Sequence, residues 1–233
     1  MVNTIGCVMY EPQLDKAISI LERDGYIVED PWDIVDAFED KVAGYAGSKY
    51  AVAVDSCTNA MFLSIKYLQT KGLSYSHVEI PCRTYLSVPG LVIHAGCKPL
   101  FVDYEWSGVY ELHPYPVIDG ATRFTKDMYV SGKFHCLSFH IRKILPITKG
   151  GMILTDDKVA VDWFKLARYE GRNNPIPHDS IDDISLIGWN MYMPPEQAAR
   201  GVVLFDEIAD TNEDCGGSFK YRDLSEFSAW RNS

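Results

Sequence analysis

The sequence lacks a long hydrophobic run, because no segment reaches the roughly 18 consecutive apolar residues of a membrane-spanning helix. The first residues, MVNTIGCVMYEP, also lack the basic flank and the long apolar core of a signal peptide. These two absences predict a protein that has no membrane partner and is located in the cytoplasm.

Paired cysteines are also lacking, since none of the six cysteines belongs to a CxxC motif. The pattern predicts reduced thiols and no metal site, rather than disulfides or bound zinc. The cysteines are Cys7, Cys57, Cys82, Cys97, Cys136 and Cys215.

Basic residues are scarce as well, with 22 Lys and Arg against 32 Asp and Glu and a net charge of −10. This charge argues against a nucleic-acid partner.

Short apolar segments alternate with amphipathic ones along most of the 233 residues. Helices are predicted at 12–25, 30–47, 58–72, 84–96, 157–171 and 194–210, and strands at 49–54, 77–81, 98–103, 115–119, 134–140 and 151–157. Asp30 and Pro31 are a typical helix start, and Pro89 is expected to break its helix. The alternation predicts an α/β fold of three αβα layers around a mostly parallel sheet. The polar residues 211–233 are expected to form a loosely held tail.

Ligands of such folds bind beyond the carboxyl ends of the strands. The segment Ser56-Cys57-Thr58-Asn59-Ala60 joins a predicted strand to a predicted helix. Its hydroxyls and backbone N–H groups have the chemistry of a phosphate site. The alternative is that Ser56 or Thr58 only caps the helix.

Three further residues lie at predicted strand ends, and each has a functional and an ordinary interpretation. Asp119 ends a buried strand, where it either pairs with a protonated heterocycle nitrogen or caps a turn. Tyr85 is either a stacking platform for a flat ring or a core aromatic. Lys143 is either a Schiff-base lysine or a surface lysine. A phosphate site, a stacking ring, a carboxylate and a lysine in this order are together what pyridoxal phosphate requires.

The motifs resemble those of the DegT/DnrJ/EryC1/StrS family of pyridoxal-phosphate-dependent sugar aminotransferases. AFEDKVAGYAGSKYAVAVDSCTNAM, IPCRTYLSVPGLVIHAGCKPLFVD, VIDGAT, SFHIRK, LARYEGR and GWNMYMPPEQAARG are similar to its blocks, over roughly residues 12–208. The resemblance implies the type I, aspartate-aminotransferase-like fold. It also implies a cytoplasmic homodimer with shared active sites, in which Asn190 reaches the cofactor phosphate of the neighbouring subunit.

The same resemblance implies a role for each aligned residue. Lys143 would hold the cofactor as a Schiff base and carry protons during catalysis. Dehydratase-like relatives have a histidine at this position, whereas this chain has the lysine of the aminotransferases. Asp119 would hold the ring nitrogen, and Tyr85 would stack on the ring. Thr122 stands where a glutamine or histidine near the ring hydroxyl is usual. Ser138 would bind the phosphate, together with Ser56, Cys57, Thr58, Asn59 and Ala60.

The chain departs from the family pattern in two places. Only YEWSGVYELHPYPVI lies between Asp103 and Asp119, where the family has a further strand and helix. By the same comparison, we expect the small C-terminal domain of the family to be largely missing from this sequence. We therefore expect a large pyridoxal-phosphate-binding domain at 1–210, shortened between 103 and 119, and a polar tail at 211–233. Tyr192 also replaces an arginine, and Lys149 an acidic residue.

The expected reaction moves an amino group from an amino-acid donor, glutamate by resemblance, to a keto-sugar linked to a nucleotide. Two alternatives stay open because of the missing segments. The chain could bind pyridoxal phosphate without transamination, or it could act on another small substrate.

Overall fold

A computed structural model describes residues 12–173, 178–181 and 183–230. The predictions made for the first residues, including Cys7, concern residues outside the described part. The helices are α1 Pro12–Arg23, α2 Pro31–Ala46, α3 Cys57–Thr70, α4 Ser87–His94, α5 Lys158–Ala167 and α6 Pro195–Phe205. The strands are β1 Tyr50–Val54, β2 His77–Pro81, β3 Lys98–Val102, β4 Tyr110–Glu111, β5 Val117–Asp119, β6 Phe134–Ser138 and β7 Gly151–Thr155.

The central sheet has five strands in the order β1-β7-β6-β5-β4. Strand β7 is antiparallel to both β1 and β6, and β6 is parallel to β5. Strands β1, β5 and β6 therefore run in one direction, while β7 and β4 run against them. The α/β fold with a central sheet is as predicted, but its strand directions are more mixed. The reason is that β6 and β7 are joined by a loop without a helix, and only a crossover connection makes consecutive neighbouring strands parallel.

Helix α2 begins as the sequence predicts. The Asp30 side chain accepts a hydrogen bond from the Trp32 N–H, Asp33 completes a capping box, and Pro31 is the first helical residue. Helix α4, in contrast, is not broken at Pro89. The helix begins at Ser87, so that Pro89 lies in its first turn, where the missing N–H would have had no helical partner.

A buried ion pair ties α2 and α5 to β1. Glu39 and Arg168 are each only 3% exposed and contact one another. The Ala53 N–H donates to Glu39 at 2.8 Å, and Arg168 donates to the Ala53 carbonyl at 2.6 Å. These bonds satisfy both charges at the strand that leads to Ser56, which fixes the direction from which that strand enters the predicted site.

The shortened segment after β3 forms an unpredicted hairpin. Strand β4 pairs with β5 in antiparallel register, with Tyr110 opposite Asp119. Strands β2 and β3 form a separate parallel pair, and the Glu79 N–H donates to the His113 carbonyl at 2.7 Å. This bond connects the two sheets where the family pattern has its additional strand and helix.

The prediction of a loosely held tail is wrong for the described residues after 210. Arg123 forms a bidentate pair with Asp214, and the Leu224 N–H donates to the Cys82 carbonyl at 2.7 Å. Leu224 is buried, at 1% exposure. The tail has no long apolar run, but its backbone hydrogen bonds and this one leucine fix it over the loops at the carboxyl ends of β2 and β5.

Five cysteines lie in the described residues and all are free: Cys57, Cys82, Cys97, Cys136 and Cys215. No helix of the described part of the chain is both long enough and apolar enough to cross a bilayer.

Candidate functional site

The predicted site residues gather where three co-directional strands end. Strand β1 leads into Ser56, β5 ends at Asp119, and β6 ends at Ser138. Ser138 faces Gly151 across β6 and β7. A Cβ at Gly151 would lie 2.3 Å from the Ser56 carbonyl carbon, so only glycine lets β7 approach the turn before α3 this closely. Gly151 thus brings Ser56 and Ser138 to the same corner of the site.

The N-terminus of α3 is capped by the protein itself. The Ser56 hydroxyl accepts a hydrogen bond from the Asn59 N–H at 3.2 Å, and the Ser56 carbonyl accepts from the Ala60 N–H at 2.9 Å. Two of the N–H groups predicted to bind phosphate are therefore already engaged within the helix. The capping interpretation of Ser56 describes what the structure shows. The Thr58 hydroxyl, which takes no part in this cap, lies 2.7 Å from the Ser87 hydroxyl.

Asp55 is a charged neighbour of this segment that was not among the predicted site residues. Its carboxylate accepts from the Asn59 side chain at 2.7 Å and from the Ser56 hydroxyl at 3.1 Å. Lys149 lies 3.3 Å from the other carboxylate oxygen and offsets its charge. Lys149, which replaces an acidic residue of the family pattern, thus has a local partner that explains the replacement.

Asp119 is the most deeply buried carboxylate of the candidate site, at 5% exposure. One oxygen accepts from the Ala121 N–H at 2.9 Å, and the other accepts from the Tyr110 hydroxyl at 2.6 Å. Burial raises the pKa of Asp119, while these two bonds and the charge of Lys143 act in the opposite direction. The Cys57 sulfur lies 3.8 Å from the first oxygen, and burial raises the pKa of its thiol well above the usual range.

Tyr110 was not among the predicted site residues, although it makes the shortest hydrogen bond to Asp119. Its two-residue strand is too short to show an alternating pattern. The register that places it opposite Asp119 arises only when the hairpin folds. The one sequence signal is the Pro-containing segment HPYP that follows Leu112 and indicates a turn before β5.

Lys143 lies in the loop after β6 and is half-buried. Its backbone N–H donates to the His140 carbonyl at 2.8 Å. Its charge acts on the carboxyl of Asp119, which places the two predicted catalytic residues in one electrostatic environment. Within the described residues its ammonium group forms no ion pair. Ser138 accepts a hydrogen bond from the His140 N–H at 3.4 Å, and the His140 side chain is exposed.

Aromatic rings surround the approach to Asp119. Tyr85 is 58% exposed, so its ring is accessible for stacking. Tyr221 of the tail stacks on Trp106, with centroids 6.0 Å apart and planes at 20°. Burial and the nearby Asp119, Cys215 and Tyr85 raise the pKa of Tyr221 to about 12. The tail therefore contributes a ring to the surroundings of the site.

Two predicted residues make their contacts elsewhere. Thr122 is buried, and its hydroxyl lies 3.0 Å from the Gly108 carbonyl and 3.1 Å from the Gly216 carbonyl, between the hairpin and the tail. Asn190 is exposed, and its amide donates to Glu170 at 2.6 Å. No grouping of three or more metal-ligating side chains occurs in residues 12–173, 178–181 and 183–230.

The fold is similar to that of solved type I pyridoxal-phosphate-dependent aminotransferases. The chain belongs to the DegT/DnrJ/EryC1/StrS aminotransferase family, whose sequence model matches residues 14–126 and 119–215. Aminotransferases of this family depend on pyridoxal phosphate.

The chain is similar to proteins of sugar metabolism. It is 26% identical over 201 residues to the spore coat polysaccharide biosynthesis protein SpsC of Bacillus subtilis, covering 68% of this chain and 48% of that protein. It is 29% identical over 122 residues to the dTDP-3-amino-3,6-dideoxy-alpha-D-galactopyranose transaminase of Aneurinibacillus thermoaerophilus, covering 52% of this chain and 32% of that protein.

Among solved structures, the fold is similar to Helicobacter pylori PseC, an aminotransferase involved in the biosynthesis of pseudoaminic acid. The TM-score is 0.65 at 14% identity, over 85% of this chain and 64% of that one. The chain thus spans about half the length of SpsC and less than two thirds of the solved chain.

The residues present fit pyridoxal phosphate at the ring end of the site. Asp119 is buried, and among the described residues its Oδ2 accepts a single hydrogen bond, from Tyr110, which leaves a lone pair on that oxygen for a ring N–H. Lys143 is within electrostatic reach and has no competing partner among the described residues. At the phosphate end, the fit depends on Thr58, Ser87 and Ser138 together with the first N–H groups of α3, because the later ones are capped.

Proposed function

We propose that this chain binds pyridoxal phosphate and transfers an amino group from an amino acid, glutamate in the first instance, to a keto-sugar linked to a nucleotide. The observation that carries the proposal is the buried Asp119 with the Lys143 charge acting on it. Family membership and the transaminase among the similar proteins support the substrate class.

Each residue has a defined task in this proposal. When bound, pyridoxal phosphate supplies an electron sink for the carbon that loses a proton. Asp119 accepts a hydrogen bond from the protonated ring nitrogen. Lys143 would hold the cofactor covalently until the amino donor displaces it, and the amine freed in this way would carry a proton between the substrate carbon and the cofactor carbon. Tyr85 covers one face of the ring. The hydroxyls of Thr58 and Ser138 hold the phosphate.

The assembly in this proposal is a cytoplasmic homodimer. Asn190 is exposed. It lies beside the end of β1, since the carbonyl of the adjacent Met191 accepts a hydrogen bond from the Asp55 N–H at 2.9 Å. An exposed amide can contact a second subunit. In this proposal, the Asn190 amide donates a hydrogen bond to the cofactor phosphate of that subunit.

A second candidate function is cofactor binding without transamination. The shortened segment between 103 and 119 favours it. A third is a pyridoxal-phosphate reaction on another small substrate.

The experiment that tests the proposal is the visible absorption spectrum of the protein with pyridoxal phosphate, before and after glutamate. We expect a protein-bound band that is lost on glutamate addition. Borohydride reduction and peptide mass spectrometry should locate the covalent link at Lys143. A band that glutamate does not change would favour the second or third function, and the absence of any band would reject the proposal.

The matched variants are Lys143→Ala and Lys158→Ala. Lys158 is an exposed lysine paired with Asp162 on α5, after the antiparallel strand β7 and thus at the edge of the sheet opposite to the candidate site. We expect the reducible link to be lost in Lys143→Ala and kept in Lys158→Ala. A link that persists in Lys143→Ala on another lysine would disprove the assignment of Lys143.

A further inference from the structure

Asp119 receives its hydrogen bonds from a part of the chain that departs from the family pattern. The shortened segment folds into strand β4, and the register of β4 and β5 places Tyr110 directly opposite Asp119. The Tyr110 side chain is buried at 5% exposure, and its hydroxyl oxygen lies 2.6 Å from Asp119 Oδ2.

The direction of each hydrogen bond follows from counting protons. An ionised carboxylate can only accept, so Tyr110 gives its single proton to Asp119. Thr84 Oγ1 lies 2.6 Å from the Tyr110 oxygen and is also buried, at 1% exposure. Because the proton of Tyr110 is already used, Thr84 must donate to Tyr110. The result is a chain from Thr84 through Tyr110 to Asp119, in which each bond polarises the next.

The hairpin that carries Tyr110 is held from outside by the tail. The Gly108 N–H donates to the Gly216 carbonyl at 3.1 Å, and the Ser218 N–H donates to the Trp106 carbonyl at 3.0 Å. The Trp106 ring packs on the Tyr110 ring with centroids 4.7 Å apart. The position of the hydroxyl is therefore determined by packing on one side and by two hydrogen-bonded oxygens on the other.

We propose that Tyr110 is the positioning residue of this site: its hydroxyl orients the Asp119 carboxylate and keeps it ionised toward the ring nitrogen of pyridoxal phosphate. This inference rests on the proposed function. Tyr110 acts through Asp119 and does not itself contact the cofactor. Without the Tyr110 proton, the buried carboxylate loses its shortest hydrogen bond, and its neutral form, which cannot stabilise a protonated ring nitrogen, gains population.

The test compares Tyr110→Phe with Tyr67→Phe. The second variant is a matched control, because the Tyr67 hydroxyl also donates to an aspartate, Asp157, at 3.0 Å. Asp157 follows the end of antiparallel β7 and thus lies at the opposite edge of the sheet. Thr84→Val, which removes the outer member of the chain, is a second and milder test should Tyr110→Phe fold poorly.

The first measurement uses the protein without cofactor. The side-chain carboxyl carbons of labelled aspartates are titrated by NMR, and the Asp119 signal is assigned from Asp119→Asn. We expect Tyr110→Phe to move the Asp119 midpoint to higher pH, Thr84→Val to move it less in the same direction, and Tyr67→Phe to leave it in place. An unchanged midpoint in Tyr110→Phe would overturn the inference whether or not the cofactor binds.

The second measurement uses protein loaded with pyridoxal phosphate that carries ¹⁵N in the ring. We expect the ring nitrogen to lose its proton at lower pH in Tyr110→Phe than in the wild type, and cofactor retention to weaken about tenfold, as for one hydrogen bond to a charged group. The link to Lys143 should persist.

The outcomes separate the two claims. Wild-type protein that does not bind the cofactor would reject the proposed function and, with it, the role of Tyr110 toward the ring. Normal binding in the wild type with an unchanged ring-nitrogen titration in Tyr110→Phe would reject the positioning role alone.

Discussion

At the scale of single residues, the site depends on how one buried carboxylate is solvated by protein. In place of water, a backbone N–H and a tyrosine hydroxyl donate hydrogen bonds to Asp119, and the positive charge of Lys143 acts on its carboxylate. Together these interactions oppose the effect of burial but do not abolish it, since the pKa of Asp119 is still raised above its ordinary value. The ionised form therefore costs stability, which is a cost that a protonated ring nitrogen would offset.

This cost predicts a pH dependence that can be measured without cofactor. Because the folded-state pKa of Asp119 lies above the unfolded value of 3.8, folding stabilises the protonated form. Its contribution to the free energy of unfolding is fully present below the unfolded pKa and is lost as the pH rises through the folded pKa. We expect the wild type to gain stability relative to Asp119→Asn as the pH falls from neutral toward 4.

Urea unfolding of both proteins at a series of pH values measures this difference. Asparagine keeps the size of the side chain and removes its titration, so the shared effects of other carboxyls cancel. A constant difference between the two proteins across this range would show that Asp119 is not destabilised when ionised.

Some of these residues could be recognised from sequence and others could not. Asp119 ends β5, and Lys143 lies in the loop after β6. Both strands are mostly apolar and buried, which indicates from the sequence where each strand ends. Tyr110 and Ser87 reach the site through pairing and packing between segments, which no local pattern records. Thr122 has the right position in its motif, but its hydroxyl is used by two backbone carbonyls, one of them from the tail.

At the scale of elements, the tail is the part of the fold that sequence patterns describe least well. It contains short 3₁₀ helices at Ser218–Lys220, Leu224–Glu226 and Ser228–Trp230, and it is fixed by single contacts rather than by an apolar face. Helices α2 and α5 were predictable because caps and apolar periodicity agree there, whereas the tail has neither over more than one turn.

Two apolar residues of the tail give opposite predictions. Leu224 is buried at 1% exposure, whereas Phe219 is 76% exposed. We expect Leu224→Ala to lower the free energy of unfolding by about 2–4 kcal/mol, as for a buried leucine, and to make the tail more sensitive to proteolysis. Phe219→Ala should leave both properties close to those of the wild type.

Chemical denaturation and limited proteolysis of the two variants provide the comparison. Equal effects of both substitutions, or none for Leu224→Ala, would mean that the tail does not pack as described. A loss of tail protection with unchanged absorption of the bound cofactor would show that the tail is not needed to hold the ring.

At the scale of the whole molecule, the proposed homodimer makes a prediction about complementation. If Asn190 serves the site of the neighbouring subunit, then Lys143→Ala and Asn190→Ala damage different members of the same composite site. A mixed dimer of the two variants then has one site with both defects and one site with neither.

We expect a mixture of the two inactive or weakened variants to regain cofactor retention and activity after subunit exchange, at about half the wild-type level per mixed dimer. Sedimentation establishes the dimer, and coexpression with two different tags isolates the mixed form. No recovery in isolated mixed dimers would place Asn190 within its own subunit, and a monomer in sedimentation would exclude shared sites altogether.

The pairing of β1 with β7 has a consequence for the time course of folding. Tyr50 lies opposite Thr155, so β1 can pair only with a strand that is distant in sequence and is synthesised much later. Such pairings form slowly, because the entropy of closing a large loop is lost before the contacts between the strands can stabilise the structure. Asp119 and Ser138 lie on the paired strands β5 and β6, and Ser56 joins them only at that late step. Competence to bind a ligand should therefore arise abruptly, as one of the last events in folding.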